Sequence, residues 1–323
     1  MIKILIYEYI TGGGLINEDL SSSLLNEAKL MMSTLHKDLK RSNQITFKFF
    51  LDERIEGFPR TSTILVKKNN LNNPYNVNLL KNFDYIFPIL PESNLILYNY
   101  VKFLEEKKIK KIISDKKTIL HLSNKLYFYK LFSKHQLNIV PTYNINETKE
   151  IKKLRKVIIK DKYGVGCSYV KFYKNSKEID FLKYNSNYVV QPYIKGKSYS
   201  ISAFFTHNDL YLLSINKQEV CLSNNNFLKL KRILVNIKDI NELQIYCILN
   251  DIRDILPNLY GFIGIDIIVE KEKIHIVEIN PRLTTSYVGL YETTNINLFD
   301  IINGKNIKKR IISGKKYNIR VNE

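Results

Sequence analysis

Gly261-Phe-Ile-Gly-Ile-Asp-Ile-Ile-Val-Glu270, then a short charged turn, then Ile274-His-Ile-Val-Glu-Ile-Asn-Pro-Arg-Leu-Thr-Thr-Ser286, is the stretch from which the fold is read. Two runs rich in Ile and Val flank Lys271-Glu272-Lys273, the pattern of a β-hairpin. Side chains alternate faces along a strand, so Glu278 and Asn280 share one face. With the turn at 271–273, Asp266 falls directly opposite Glu278. A slip of two residues would leave them diagonal on the same face. Two carboxylates facing each other in an apolar sheet repel and are costly to desolvate. A divalent cation relieves both penalties, and hard oxygen ligands with room left for phosphate and water suit Mg²⁺. A hairpin whose acids reach solvent or pair with lysine has the same local sequence, so the rest of the chain must decide.

The chain has 323 residues, enough for two or three domains' worth of core. Hydrophobic residues make up 45% and charged residues 25%, as in an ordinary globular protein. No apolar run is long enough to span a bilayer, so no membrane role is expected. In Met1–Ile10 the apolar part is short, Glu8 interrupts it and three glycines follow, which reads as a buried first strand and not a signal peptide. Cys167, Cys221 and Cys247 are odd in number and far apart, as expected for a reducing cytoplasm without a disulfide framework. The five histidines are equally scattered, which argues against zinc. The net charge of +19 invites a nucleic-acid reading. Lysine is spread along the chain beside abundant Asn and Ile, with no Arg-rich arm or RNA-recognition signature, so compositional bias accounts for it and nucleic acid is disfavoured as a partner.

Residues 2–10 predict a strand, Thr11-Gly12-Gly13-Gly14 a tight loop, and apolar spacing from Leu20 to Leu39 a helix over 19–41 capped by Asp19 or Ser21. The loop lacks both the spaced dinucleotide fingerprint and a Walker lysine, so Gly12, Gly13 and Gly14 suit the wall of a substrate pocket better than a phosphate cradle. Strands are expected near 45–51, 62–67, 84–90 and 110–114, with a helix over 93–107. Alternating strands and helices predict an open, largely parallel sheet, whose ligands bind beyond the strands' carboxyl ends. Glu92 lies at such an end and is a candidate substrate contact, or a solvated loop acid.

Residues 118–135 read as one or two apolar helical segments containing Lys125, and 147–155 as a charged helix. Two strands flank Gly164 and Gly166, with Lys160 ending the first. A lysine and flexible glycines there can neutralise and cover phosphates. Strands follow at 187–194, 197–205 and 210–216, then a helix at 242–256. The segment from Asp300 to Glu323 reads as a basic peripheral tail.

In this order, Lys125, Lys160 with Gly164 and Gly166, Gln191-Pro-Tyr-Ile194, Asp266, and Glu278-Ile-Asn280-Pro-Arg282 resemble the ATP-grasp carboxylate–amine ligases over roughly residues 115–300. The resemblance implies an α/β chain, α+β in its catalytic part: an amino-terminal open α/β domain over 1–114, a small subdomain with a glycine flap over 115–185, and a carboxy-terminal subdomain with the magnesium site over 186–323. It implies ATP phosphates on Lys125, Lys160 and Lys217 under the Gly164–Gly166 flap. Adenine is expected at Gln191, Tyr193 and Ile194. Asp266, Glu278 and Asn280 are expected to hold Mg²⁺, with Mn²⁺ as a substitute, and Arg282 to meet the transferring phosphate. The chain departs from the family pattern at Asp161 where proline is usual, at Gln191-Pro192 where a glutamate is frequent, and at Ser198 where a ribose-binding glutamate is frequent.

Tyr7-Glu-Tyr-Ile-Thr-Gly-Gly-Gly14, Leu90-Pro-Glu92, Ile215-Asn-Lys-Gln218 and Asn280-Pro-Arg-Leu-Thr-Thr-Ser286 further resemble the tyramine–L-glutamate ligase group of methanofuran-type cofactor biosynthesis. That implies small acid and amine substrates, an acyl-phosphate intermediate, release of ADP and phosphate, and a cytoplasmic enzyme, with a homodimer left open. Thr284, Thr285 and Ser286 are candidate donors to the carboxylate substrate, or a loop capping the next helix. The competing readings are a ligase for another amino acid or peptide pair, and a basic nucleic-acid-associated protein with a degenerate ATP site.

Overall fold

The computed structural model describes residues 1–68, 72–166, 169–304 and 316–321. β1 (Ile2–Glu8) is buried from Ile4 onward, the mark of a strand covered on both faces. β2 (Ile45–Asp52), β3 (Thr63–Val66) and β4 (Tyr85–Ile89) join it in a parallel sheet ordered β3-β2-β1-β4. α1 (Ser22–Lys40) buries Ala28, Met31, Met32, Leu35 and Leu39 at helical spacing and packs with Ile4 and Ile6. After the single-turn α2 (Val77–Leu80), α3 (Ile96–Glu106) covers the other face, seating Leu97, Tyr100, Val101 and Leu104 against Leu5 and Tyr7. Each such side chain contributes about 1.5–3 kcal/mol when fully removed from water. The strand expected at 110–114 is instead a single parallel bridge between Lys111 and Ile86. The ladder ends there because Asp115 caps the next helix, accepting from the Thr118 N–H at 2.7 Å.

That helix is α4 (Lys116–Ser123), and α5 (Lys125–Phe132) follows after one residue. The break is Asn124, whose Oδ1 accepts from the backbone N–H groups of Leu126 and Tyr127. β5 (Tyr143–Asn144), the short α6 (Thr148–Ile151), β6 (Val157–Asp161), β7 (Val170–Tyr173) and β8 (Tyr188–Pro192) form a small antiparallel sheet ordered β5-β8-β6-β7. α6 is shorter than the charged helix expected over 147–155. β8 lies past the expected boundary at 185 yet sits between β5 and β6, so the small sheet runs on to Pro192.

β9 (Lys197–Phe205), β10 (Leu210–Leu222), β11 (Leu228–Val235), β12 (Gly261–Glu270) and β13 (Lys273–Asn280) build an antiparallel sheet. α7 (Glu242–Ile255) packs Ile245, Leu249 and Ile252 on its apolar face, against Ile201, Ile263, Ile265 and Ile267. α8 (Leu290–Thr294) and α9 (Leu298–Ile302) precede β14 (Tyr317–Arg320), which pairs with β11 and completes the order β13-β12-β9-β10-β11-β14. β10 runs six residues beyond the strand expected over 210–216, and β11 was not anticipated. The peripheral tail is also corrected: Ile301 and Ile319 are buried in the core that joins the large sheet to α1. Residues 305–315 of that segment, and Cys167, lie outside the described residues. Cys221 and Cys247 are free thiols. Among the described residues no helix is long and apolar enough to cross a membrane.

Candidate active site

The hairpin places Asp266 opposite Glu278 by a different route from the one its turn suggested. Glu270 pairs with Lys273, so the turn is only Lys271 and Glu272, with Lys271 in the left-handed region at φ 56°. On that register alone Asp266 would face Val277, and Glu278 would point to the other side of the sheet. A β-bulge between Asp266 and Ile267 inserts Val277 as the unpaired residue and restores the Asp266–Glu278 pairing.

Across the sheet, Asp266 aligns with Ser200 and then Asn216, and Gly264 with Ser202. One face therefore carries Ser200, Ser202, Asn216, Gln218, Asp266, Glu278 and Asn280, while Tyr199, Ile201, Ile215 and Ile265 line the opposite, apolar face. Gln218 Nε2 donates to Asp266 Oδ1 at 2.9 Å, and Asn280 Nδ2 to Asp266 Oδ2 at 3.3 Å. Lys217 alternates to the opposite face from Gln218, away from the ladder position of Asp266. Gln218 and Asn216 enter the sequence reading only within the run Ile215–Gln218, where the site role is given to Lys217 instead. The alternation Ser198-Tyr-Ser-Ile-Ser202 on the paired strand was the available signal.

Lys125, at the start of α5, and Lys160, near the end of β6, are both buried. Their Nζ atoms lie 3.4 and 3.5 Å from the same Glu278 Oε2. Burial alone would raise the Glu278 pKa, but the two ammonium groups outweigh it and hold the carboxyl well below its usual range. Asp266 moves the other way, raised first by burial and then by the Glu278 charge, with Gln218, Lys160 and Asn280 only partly compensating. Among the described residues no group of three or more His, Cys, Asp or Glu forms a metal cluster. Two carboxylates and an amide on one sheet face nevertheless fit a magnesium ion that keeps water and phosphate ligands. The desolvated Asp266–Glu278 pair is the observation that favours a divalent cation there.

The glycine flap is tied to this cluster. Lys125 Nζ donates to the Gly164 carbonyl at 2.6 Å, and the Lys125 N–H donates to the Lys162 carbonyl at 3.1 Å. Asp161, the departure from proline, accepts the Tyr163 N–H at 2.7 Å and so shapes the root of the flap. Gly166 has φ +59° and open space around it. In the expected adenine segment, Gln191 is buried, its Nε2 donates to Thr142 Oγ1 at 2.8 Å, and its Oε1 has no partner among the described residues. The Tyr193 N–H is committed to the Lys156 carbonyl at 2.9 Å, while Ile194 is half-buried beside it. Backbone recognition in this segment therefore falls to groups other than that N–H.

Arg282 lies beyond β13 and reaches the amino-terminal sheet. Its Nε is 2.9 and 3.1 Å from the two oxygens of Glu92, which is buried beyond β4. The loop holding Glu92 passes through left-handed residues at Asn94 (φ 51°) and Leu95 (φ 58°), strain of the kind that gathers at functional sites. Glu8, at the end of β1, is buried nearby and accepts from the Thr11 N–H, the Thr11 hydroxyl and the Ile10 N–H. Its pKa is raised by burial, which outweighs those bonds and the Arg282 charge. Thr285 Oγ1 donates to Glu27 of α1, and Ser286 Oγ lies 2.9 Å from Ser202 Oγ and 3.0 Å from Thr284 Oγ1. These hydroxyls tie the segment after β13 to β9 and α1, and Thr284 makes no side-chain capping bond to the turn that follows.

Gly12 and Gly14 spend their N–H groups on the Glu8 and Tyr9 carbonyls at 2.8 Å, so they are not available as a phosphate cradle. Gly12 has no room for a side chain, since a Cβ would meet the Glu8 carbonyl at 2.5 Å. Gly13 (φ +86°) and Gly14 line a cavity of about 370 Å³ with Tyr7, Tyr9 and Tyr75.

Comparison with known proteins places these features in context. A family model described as "ATP-grasp domain" matches residues 122–286. The tyramine–L-glutamate ligase of Methanocaldococcus jannaschii is 28% identical over 330 aligned residues, spanning 98% of this chain and 94% of that protein. In structure, the chain is similar to an ATP-grasp superfamily protein of Archaeoglobus fulgidus, with TM-score 0.75 and 20% identity over 99% of this chain and 92% of the other. It is also similar to the biotin carboxylase domain of Hydrogenobacter thermophilus 2-oxoglutarate carboxylase, solved with MgADP and bicarbonate. There the TM-score is 0.67 and the identity 14%, over 95% of this chain and 70% of that one.

Proposed function

The chain belongs to the ATP-grasp family and is one of its ligases, and from that premise we propose that it joins L-glutamate to tyramine as an amide at the expense of ATP. The observation that carries the reading is the convergence of Lys125 and Lys160 on Glu278, opposite Asp266, in a chain similar along its length to a tyramine–L-glutamate ligase.

In this reading Lys125 and Lys160 neutralise the ATP phosphates, and the loop through Gly164 and Gly166 closes over them and excludes water. Gln191 and Ile194 meet the adenine. Asp266, Glu278 and Asn280 hold Mg²⁺, which when bound supplies further charge neutralisation at the phosphates. A glutamate carboxylate oxygen attacks the γ-phosphorus, the bond to the bridging oxygen breaks, and ADP departs, leaving an acyl phosphate. The neutral amine adds to the acyl carbon, phosphate leaves, and the nitrogen gives up its proton to form the amide. Arg282, held in orientation by Glu92, stabilises the charge on the transferring group. The protein supplies alignment and charge, and no side-chain nucleophile takes part.

The test is incubation of the purified protein with ATP, Mg²⁺ and a panel of acids and amines, following ADP release and the product mass. Release that requires both glutamate and tyramine, with a product of their combined mass less one water, is the expected result. Release with a different pair would keep the ligase and replace the substrates. No release with any pair would overturn the reading.

A further inference from the structure

The cavity beside the glycine loop has a chemistry of its own. Tyr7, Tyr9 and Tyr75 wall it together with Val66, Ile96 and Asn99. Behind it, the Tyr7 and Tyr75 rings pack edge-on against Tyr100, with centroids 5.0 and 5.4 Å apart. The Tyr100 hydroxyl donates to the Pro74 carbonyl at 3.1 Å and fixes the segment that presents Tyr75. The glycine loop is held from the other side, where Arg54 donates to the Leu15 and Glu18 carbonyls at 2.7 and 2.8 Å and pairs with buried Asp52. The walls are thus held by the buried Tyr100–Pro74 bond and by the Arg54 bonds at the surface, and a ligand there meets a preformed aromatic surface.

We propose that this cavity is the subsite for the ring of an aromatic primary amine, the nucleophile of the ligation, which rests on the ligase reading above. Aromatic rings prefer edge-to-face and offset contacts with other rings, and three tyrosines around one space offer both. Lys67 and Lys68 also line the cavity, so an ammonium is disfavoured within it and the nitrogen end of the amine turns outward. Outward from the cavity are the carboxyl ends of β1 and β4. Glu8 follows Tyr7 on β1 and alternates to the opposite face of the sheet, and Glu92, four residues before Ile96, accepts from Arg282. The position between β1 and β4 is also the point where strand order reverses in the parallel sheet, the usual ligand crevice of such folds.

The experiment uses the full chain and two substitutions at exposed lining positions, Tyr75→Ala and Asn99→Leu, which leave the core intact. Steady-state kinetics are measured with tyramine, 2-phenylethylamine and the ringless isopentylamine, alongside calorimetric binding of tyramine to the wild-type and variant proteins. Tyr75→Ala is expected to raise the KM for both aromatic amines about tenfold or more while leaving the KM for ATP and glutamate unchanged. Isopentylamine is expected to be a weak substrate of the wild type and to lose less than twofold. Unchanged tyramine KM in both variants, with wild-type turnover intact, would overturn the cavity assignment and leave the ligase reading standing. If the wild type turns over no aromatic amine yet binds tyramine, and Tyr75→Ala weakens that binding, the subsite stands and the substrate reading fails. If tyramine binding is undetectable in the wild type, the subsite fails too.

Discussion

Arg282 and Glu92 are 190 positions apart in sequence, yet the arginine Nε touches both carboxylate oxygens of the glutamate, at 2.9 and 3.1 Å. The pair joins the end of the hairpin to the amino-terminal sheet, and both side chains are largely shielded from solvent. Removing one member of a shielded pair strands the other charge. Glu92→Gln should therefore lower unfolding stability by about 3 kcal/mol in urea titration. Turnover should also fall, since Arg282 loses the partner that aims it. A stability change below about 0.5 kcal/mol would mean that solvent reaches the pair and screens it.

Asp266 and Glu278 should be indispensable to turnover. Asp266→Asn and Glu278→Gln are each expected to lower kcat on the order of 10²–10³-fold with far-UV circular dichroism unchanged. Full activity in either variant would remove the metal assignment.

The same pair makes a pH prediction. The Asp266 carboxyl is raised to about 7 in the folded chain. A raised acid contributes stability below its unfolded value, near 4, and that contribution is lost as pH rises towards 7. Protein treated with chelator should become less stable over this window on account of Asp266. Asp266→Asn, though inactive, should then be more stable than the wild type at pH 7.5, by roughly 1–3 kcal/mol. Added Mg²⁺ should raise the melting temperature of the wild type and leave that of Asp266→Asn unchanged.

Strand parity separates two neighbours. Gln218 contacts Asp266 and Lys217 points to the other face, so Gln218→Leu should weaken Mg²⁺ dependence or turnover by about 10–100-fold. Lys217→Ala should change either by less than about threefold. The reverse pattern would show that the lysine curls back to the phosphates.

Lys271 holds φ 56° in the two-residue turn, a conformation that costs a side chain energy and glycine little. Lys271→Gly should stabilise the protein by about 0.5–1 kcal/mol in the same titration and leave kinetics unaltered.

Part of the site was legible because strand alternation is a local property, and it places Asp266 and Glu278 on one face. The two lysines and the flap glycines were read from the order of motifs along the chain and its resemblance to the family. What was not legible depends on the third dimension. The bulge at Val277 compensates for a turn one residue shorter than the charged triplet suggested, and the two differences cancel at Asp266. The Glu92–Arg282 and Glu27–Thr285 contacts span most of the chain, so no window contains them. β11 had a readable signal, the alternation Leu228-Lys-Leu-Lys231, which the surrounding lysines and asparagines obscured. β14 had almost none. Tyr317-Asn-Ile-Arg320 becomes a strand because β11 offers it an edge, and tertiary pairing outweighs the polar composition around it.

β14 also bears on how the protein behaves in a crowded solution. A long sheet with open edges invites other chains to add themselves as further strands. Here β14 covers β11 at one margin. At the other, residues 138–140 bond to the Ile276 backbone, with the Ile276 N–H on the Asn138 carbonyl at 2.8 Å and the Val140 N–H on the Ile276 carbonyl at 3.0 Å. β14 thus acts as a seam, and shortening the chain before Lys316 would leave a naked margin of backbone from Arg232 to Val235 exposed to self-association.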